Sequence, residues 1–208
     1  VINGVERVVI NQLVRSPGVY FTKEIDPQSG RPLHKAEIRP IHGSWIEIMV
    51  SKNDHLSVRV DRRRKISVTT LLRAIGFSSN EEIEALFKDV DVDTDHPYIA
   101  TTLLKDTSSN TDEALLEFYE KIRPGEPAVL ENAKNLLKQM FFDHRRYNLG
   151  AVGRYKTNKK LASFRSVSTD STTLTKDDLV ATIKYLISLQ NGKGKTDDID
   201  HLANRRLR

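Results

Sequence analysis

Trp45 to Lys65 reads WIEIMVSKNDHLSVRVDRRRK, and it contains the point at which the hydrophobic period of the chain changes. Leu56, Val58 and Val60 alternate strictly with Ser57, Arg59 and Asp61, the period-two pattern of a half-buried strand. Before it, Ile46, Ile48 and Val50 share one face while Trp45, Glu47 and Met49 share the other, and Asn53-Asp54 marks a turn between the two runs. The pair reads as antiparallel. After Lys65 the apolar period becomes 3.6.

Upstream, Pro17-Gly18, Pro27 to Pro32 and Pro40 to Ser44 punctuate the chain, so short strands joined by turns are expected there. Downstream, Ser79 with Glu82 makes a capping-box pattern ahead of Ile83, Leu86 and Phe87, and Asn110 with Glu113 repeats it. The second of these helices carries Leu115, Phe118, Tyr119 and Ile122 on one stripe and stops at Pro124-Gly125. Ala133, Leu136, Leu137, Met140 and Phe141 predict another amphipathic helix. Leu179, Ile183, Leu186 and Ile187 predict a further one, opened by Thr175 and Asp178 and closed by Gly192. The Met and Phe members read as core. No internal repeat is visible, and the low-complexity patch Ser163 to Thr175 reads as a surface loop. The expected class is α+β: short antiparallel strands followed by a cluster of amphipathic helices.

At 208 residues, 38% hydrophobic and 29% charged, the chain is long enough for one sizeable core or two small subdomains sharing one. No run reaches the roughly 18 apolar residues of a membrane helix. Val1 to Val19 carries Glu6, Arg7 and Arg15, against a signal-peptide core. No membrane partner and a cytoplasmic location are expected. Cys is absent, which excludes a disulfide framework, a thiol nucleophile and a cysteine zinc site. Thirty-three Lys and Arg against 28 Asp and Glu give a net charge of +5, compatible with a polyanionic partner. The missing start Met and the stop at Arg208 lead to the expectation of a piece of a longer chain.

Several clusters can carry chemistry. Trp45, the only Trp, lies opposite Ile46, Ile48 and Val50; its indole is either an outward platform for stacking an unpaired base or is covered by helices. Asp61-Arg62-Arg63-Arg64-Lys65 is either a phosphate-neutralising run, with Arg62 and Lys65 as contacts, or a solvated turn paired with acids. Asp197, Asp198, Asp200 and His201 form either a metal-binding group or a hydrogen-bonded turn. Arg123-Pro124-Gly125, Arg145-Arg146-Tyr147 and Gly153-Arg154-Tyr155-Lys156 interleave cations with aromatics, as nucleic-acid surfaces and ordinary loops both do. No GxxxxGK[ST], GxSxG or HExxH occurs, and no complete catalytic machinery is found.

The two ends, VINGVERVVINQLVRSPGVYF from Val1 to Phe21 and DDIDHLANRRLR from Asp197 to Arg208, resemble signature stretches of the β subunit of bacterial RNA polymerase. The similarity continues in family order through Gly43-Ser44-Trp45, Val58 to Lys65, Arg123 to Pro127, Arg145-Arg146-Tyr147, Val152 to Lys156 and Ala181 to Leu186. Ala203 departs from the Gly usual in the family, and the long lobe insertion of some lineages is absent.

The resemblance implies a lobe domain over residues 16–196, β-rich over 16–61 and α-rich over 62–196, with 1–15 and 197–208 joining it to a neighbouring domain. It implies one wall of the DNA cleft, contacting downstream duplex and the non-template strand. The partners implied are the alpha, beta prime and omega subunits, sigma factor and transcription regulators. No cofactor is implied in this piece, since the catalytic Mg²⁺ of the assembled nucleotidyltransferase is held by another subunit; the piece alone should be inactive. By the same resemblance, Arg15, Asp200 and Arg205 form a pocket for an unpaired non-template guanine and Trp45 stacks on the neighbouring base. Arg123 and Arg154 lie near promoter DNA. A freestanding basic nucleic-acid-binding domain and a metal-dependent hydrolase are the competing readings.

Overall fold

A computed structural model describes residues 1–164 and 170–208. Part of the Ser163 to Thr175 stretch read as a surface loop, residues 165–169, lies outside the described residues. Strands β2 (Gly18–Ile25), β3 (Pro32–Arg39), β4 (Ile46–Val50), β5 (Leu56–Val60) and β6 (Ile66–Ser67) form a five-stranded antiparallel meander in chain order. Ile46 faces Val60, Ile48 faces Val58 and Val50 faces Leu56, so the two apolar rows merge into one buried surface. Asp54 turns this hairpin at a left-handed φ of 58°.

β2 and β3 are eight residues each, longer than the Pro punctuation predicts. The turn residues are compressed into one tight link, where Asp26 Oδ2 accepts from Ser29 N and Oγ, and Gly30 N donates to Asp26 O. Pro32 then opens β3, where a missing N–H is tolerated. The expected α+β class, antiparallel strands followed by helices, is the one observed.

Seven α-helices follow among the described residues: α1 (Val68–Ala74), α2 (Asn80–Phe87), α3 (Tyr98–Leu104), α4 (Thr111–Ile122), α5 (Leu130–Leu137), α6 (Gly150–Leu161) and α7 (Lys176–Gln190). Ser79 and Asn110 cap α2 and α4 as predicted, accepting from Glu82 N and Glu113 N. The returning carboxylates bond one residue further out, to Ser78 N and Ser109 N. Among the described residues, only at Thr175 and Asp178 is the reciprocal capping box complete.

The helix predicted through Phe141 is interrupted. α5 ends at Leu137, and a π-helical turn, Lys138–Phe142, carries Met140 and Phe141. The wider turn still delivers Phe141 to the core, in edge-on contact with Phe118 and Tyr147. α6 has almost no apolar stripe; its buried residues are Gly153, Arg154, Thr157 and Leu161. Gly153 lets α6 approach Pro17 closely, since a Cβ there would stand 3.0 Å from Pro17 Cβ and force a small shift.

α7 lies against β3 and α6 against β2, and one continuous core joins the inner sheet face to the helices. The other face of the sheet carries Lys35, Glu37, Arg39, Glu47 and Arg59. The chain ends meet in a separate two-stranded sheet, β1 (Leu13–Arg15) against β7 (Arg205–Leu207), following a 3-10 turn at Leu202–Asn204. None of the described helices is long and apolar enough to cross a membrane.

Candidate nucleic-acid interface

Arg15 and Arg205 are direct partners across the β1–β7 ladder, so both guanidinium groups leave the ribbon on one side. Ser16 N continues the ladder to Asn204 O at 2.9 Å. Asp197 fastens the returning segment to the main sheet: its backbone N donates to Phe21 O, its carboxylate accepts from Phe21 N at 2.7 Å, and Lys160 Nζ bonds both its oxygens. Asp200 accepts from Arg205 Nη2. The structure therefore brings Arg15, Asp200 and Arg205 together, with Asp200 78% exposed. Beside Arg15 opens a cleft of about 370 Å³, whose lining includes Lys35, Glu37, Asp198 and Ile199.

Trp45 is half-buried, and two cations lie against its ring: the Arg39 guanidinium is 4.3 Å and that of Arg62 4.9 Å from the ring centroid. Arg62 is placed by the turn Val60 to Arg63, closed by Arg63 N donating to Val60 O at 2.9 Å, with Asp61 and Arg62 at φ of 46° and 61°. Both central residues are left-handed, the geometry that favours Asn, Asp or Gly. Asp61 compensates through bonds to Trp45, donating its N to Trp45 O at 3.1 Å and accepting Trp45 N at 2.9 Å.

Glu37 links the two groups. Its carboxylate bonds Arg15 Nη1 at 2.5 Å, Lys35 Nζ at 2.9 Å and Arg39 Nε at 3.0 Å, while Lys35 also reaches Glu47 at 3.3 Å. A continuous polar chain thus runs from Arg15 through Glu37 and Arg39 to the face of Trp45. Burial alone would raise the Glu37 carboxyl, but its bonds to Lys35 and Arg39 outweigh that and hold it below the ordinary 4.5. A depressed folded-state value contributes stability that is complete above pH 4.5 and lost as pH falls through the lowered value. Glu37→Gln is therefore expected to flatten the acid limb of the stability profile below about pH 4.5 relative to the unsubstituted chain, as read by urea midpoints across pH. Glu37 and Arg39 were not among the sequence candidates, although the period-two placement of Lys35, Glu37 and Arg39 on the Trp45 side of the sheet was available to find them.

The remaining candidates separate by burial. Lys65 is exposed. Arg123 is half-exposed and pairs with Glu126, which also accepts Tyr119 Oη at 2.7 Å. Within the basic run, Arg63 is a structural cap, donating to Ile122 O at the end of α4. Arg154 requires correction. It is only 4% exposed, both Asp178 oxygens lie 2.9 Å from its Nη1, and its other nitrogens donate to Ser171 O and Thr173 O. A guanidinium so enclosed ties α6 to α7 and the loop before it and has no donor facing solvent for DNA.

The acidic turn is likewise committed elsewhere. Asp197 holds Lys160, Asp198 accepts Asp200 N, Asp200 pairs with Arg205, and His201 Nδ1 accepts Ala203 N. Among the described residues no group of three or more His, Cys, Asp or Glu could hold a metal ion, so these residues do not fit the distant convergence a metal-dependent hydrolase needs. Ala203 takes no left-handed conformation, and its carbonyl accepts Lys156 Nζ at 2.7 Å. The expected Gly is dispensable at this position.

The family model described as RNA polymerase Rpb2, domain 2, matches residues 15–208. Over all 208 residues the chain is 51% identical to the DNA-directed RNA polymerase subunit beta of Syntrophomonas wolfei subsp. wolfei (strain DSM 2245B / Goettingen). The chain spans 18% of that relative's length. With the antiparallel meander, the described helices and β7 all inside the matched span, the chain belongs to the RNA polymerase Rpb2 domain 2 family, as a segment of the β subunit.

Proposed function

We propose that this segment is the noncatalytic lobe of a DNA-directed RNA polymerase β subunit, forming one wall of the DNA cleft and contacting the non-template strand and downstream duplex. The observation that carries this reading is the grouping of Arg15, Arg205 and an exposed Asp200 at the paired termini, joined through Glu37 and Arg39 to Trp45. An exposed carboxylate accepts from the N–H donors of an unpaired guanine's Watson–Crick edge, a guanidinium donates to its acceptors or to phosphate, and an indole stacks on the next base. Arg62, Lys65 and Arg123 supply phosphate contacts that position the strand without reading it. The catalytic Mg²⁺ is held by the beta prime subunit and much of the cleft's charge belongs to other domains and subunits, with the alpha, beta prime and omega subunits and sigma factor as partners, so the segment alone is expected to be inactive.

Asp200→Ala in assembled polymerase is expected to reduce the preference for guanine at one non-template position several-fold, roughly 1 kcal/mol, while leaving binding to other bases nearly unchanged. Matched templates differing at that single base provide the measurement. Equal guanine preference in both enzymes would remove the pocket from the reading. Tight, sequence-selective DNA binding by the 208-residue chain alone would favour a freestanding binding domain instead.

A further inference from the structure

A cleft of about 280 Å³ opens where the β4–β5 turn, the start of β6 and the end of α3 meet. His55, Lys65 and Lys105 line it, with the hydroxyl residues Ser51, Ser57 and Ser67. No carboxylate is in that lining. The two acids adjacent in sequence turn away from it. Asp54 pairs with Arg31 at 2.7 Å and with His96 at 2.8 Å, and Asp106 pairs with Arg73 at 3.2 Å and accepts Thr70 Oγ1 at 2.9 Å. Among the described residues neither Lys65 nor Lys105 forms an ion pair, and the Ser57 hydroxyl makes no hydrogen bond.

Two ammonium groups and an imidazole therefore share one recess with no counter-charge in its lining. Burial and then the charges of Lys105 and Lys65 push the His55 imidazole below its ordinary value. Like charges so arranged repel, and an anion seated among them converts repulsion into attraction. The His55 imidazole is the one aromatic ring in the lining, and Ile66 is its single apolar member.

We propose that this recess is a phosphate-binding seat, in which Lys65, Lys105 and protonated His55 hold the oxyanion and the Ser57 hydroxyl donates to it. The phosphate is either a free ion or a nucleic-acid backbone group. The seat shares only Lys65 with the face proposed above and lies at the opposite end of the β4–β5 hairpin from Trp45.

His55 reports on the seat directly, because a bound dianion raises its pKa while an empty recess leaves it depressed. The test is an NMR titration of the His55 imidazole in the 208-residue chain, with inorganic phosphate and, in a separate arm, with a short duplex DNA. Phosphate is expected to move the His55 titration upward saturably, and Lys105→Gln to weaken that binding about tenfold, as loss of a charge-assisted bond should. Lys105 and Lys23 are both exposed, so neither substitution endangers the fold, and Lys23→Gln is expected to leave the binding unchanged. A shift with phosphate alone assigns the free ion. A shift that DNA produces, weakened in the same way by Lys105→Gln, assigns the backbone. A His55 titration unmoved in both arms, or equal weakening by Lys23→Gln, overturns the seat. Trp45→Ala leaves the phosphate response intact if the two sites are separate, so failure here and failure of the cleft-wall reading are told apart.

Discussion

Replacing Asp178 with Ala is expected to destabilise the chain by about 3–5 kcal/mol, the cost of breaking a buried ion pair from one side. Asp178 is fully buried and both its oxygens lie 2.9 Å from Arg154 Nη1. The same carboxylate accepts from Thr175 N and Oγ1 at 2.9 and 2.8 Å, completing the cap of α7. Its removal strands a guanidinium at 4% exposure with only the carbonyls of Ser171 and Thr173, and uncaps the helix that packs on β3. Arg154→Ala should cost less, because Asp178 keeps its Thr175 donors. Arg154→Met with Asp178→Leu should recover part of the loss, since apolar replacement leaves no unpaired charge. Urea unfolding followed by Trp45 fluorescence ranks the three variants. A stable Arg154→Ala chain with weakened DNA binding in the assembled enzyme would return Arg154 to the DNA face.

That correction shows where sequence reasoning reached and where it stopped. The strand pair around Asn53-Asp54 was legible because alternate residues must choose between core and surface, and Leu56, Val58 and Val60 leave one choice. The four predicted helices were legible for the same reason at the longer period. α6 was not, because its inward face is built from Gly153, Arg154 and Thr157, types that periodicity counts as polar. Arg154 was placed near DNA by the resemblance, its own setting fitting nucleic-acid surfaces and ordinary loops alike; the bond to Asp178, 24 residues further on, identifies it as internal. The π-helical turn at Lys138–Phe142 was invisible because Met140 and Phe141 are core residues in either geometry.

The candidate interface divides along the same line. The adjacency of Arg15 to Arg205 needed the resemblance, since no local pattern joins residues at the two ends of a chain. Glu37 was overlooked although its strand parity was readable, because the resemblance named no role for it and its three cations come from two strands that only the fold brings around it. Trp45 is half-buried, and its ring is occupied by the Arg39 and Arg62 side chains, which can leave it.

Trp45→Ala in the assembled polymerase is expected to shorten the lifetime of the melted DNA complex by roughly tenfold, within the range of about 1–3 kcal/mol for stacking one base on an aromatic ring. The lower part of that range follows from the occupied state of the ring. A base can stack only by displacing Arg39 or Arg62, which forfeits a cation–π contact of about 0.5–2 kcal/mol. The displaced guanidinium is then free to meet the phosphate of the incoming nucleotide. Arg62→Gly separates the two contributions. Glycine accepts the φ of 61° without strain, so the stability of the chain should hold or rise by about 1 kcal/mol. The same substitution removes one phosphate contact and should reduce the slope of log affinity against log salt by about one. Trp45→Ala should leave that slope unchanged and act on lifetime alone. Dissociation rates measured at several salt concentrations distinguish the two variants. An unchanged lifetime for Trp45→Ala would make the indole a fixed support for Arg39 and Arg62, with the strand held by charge and no base on the ring.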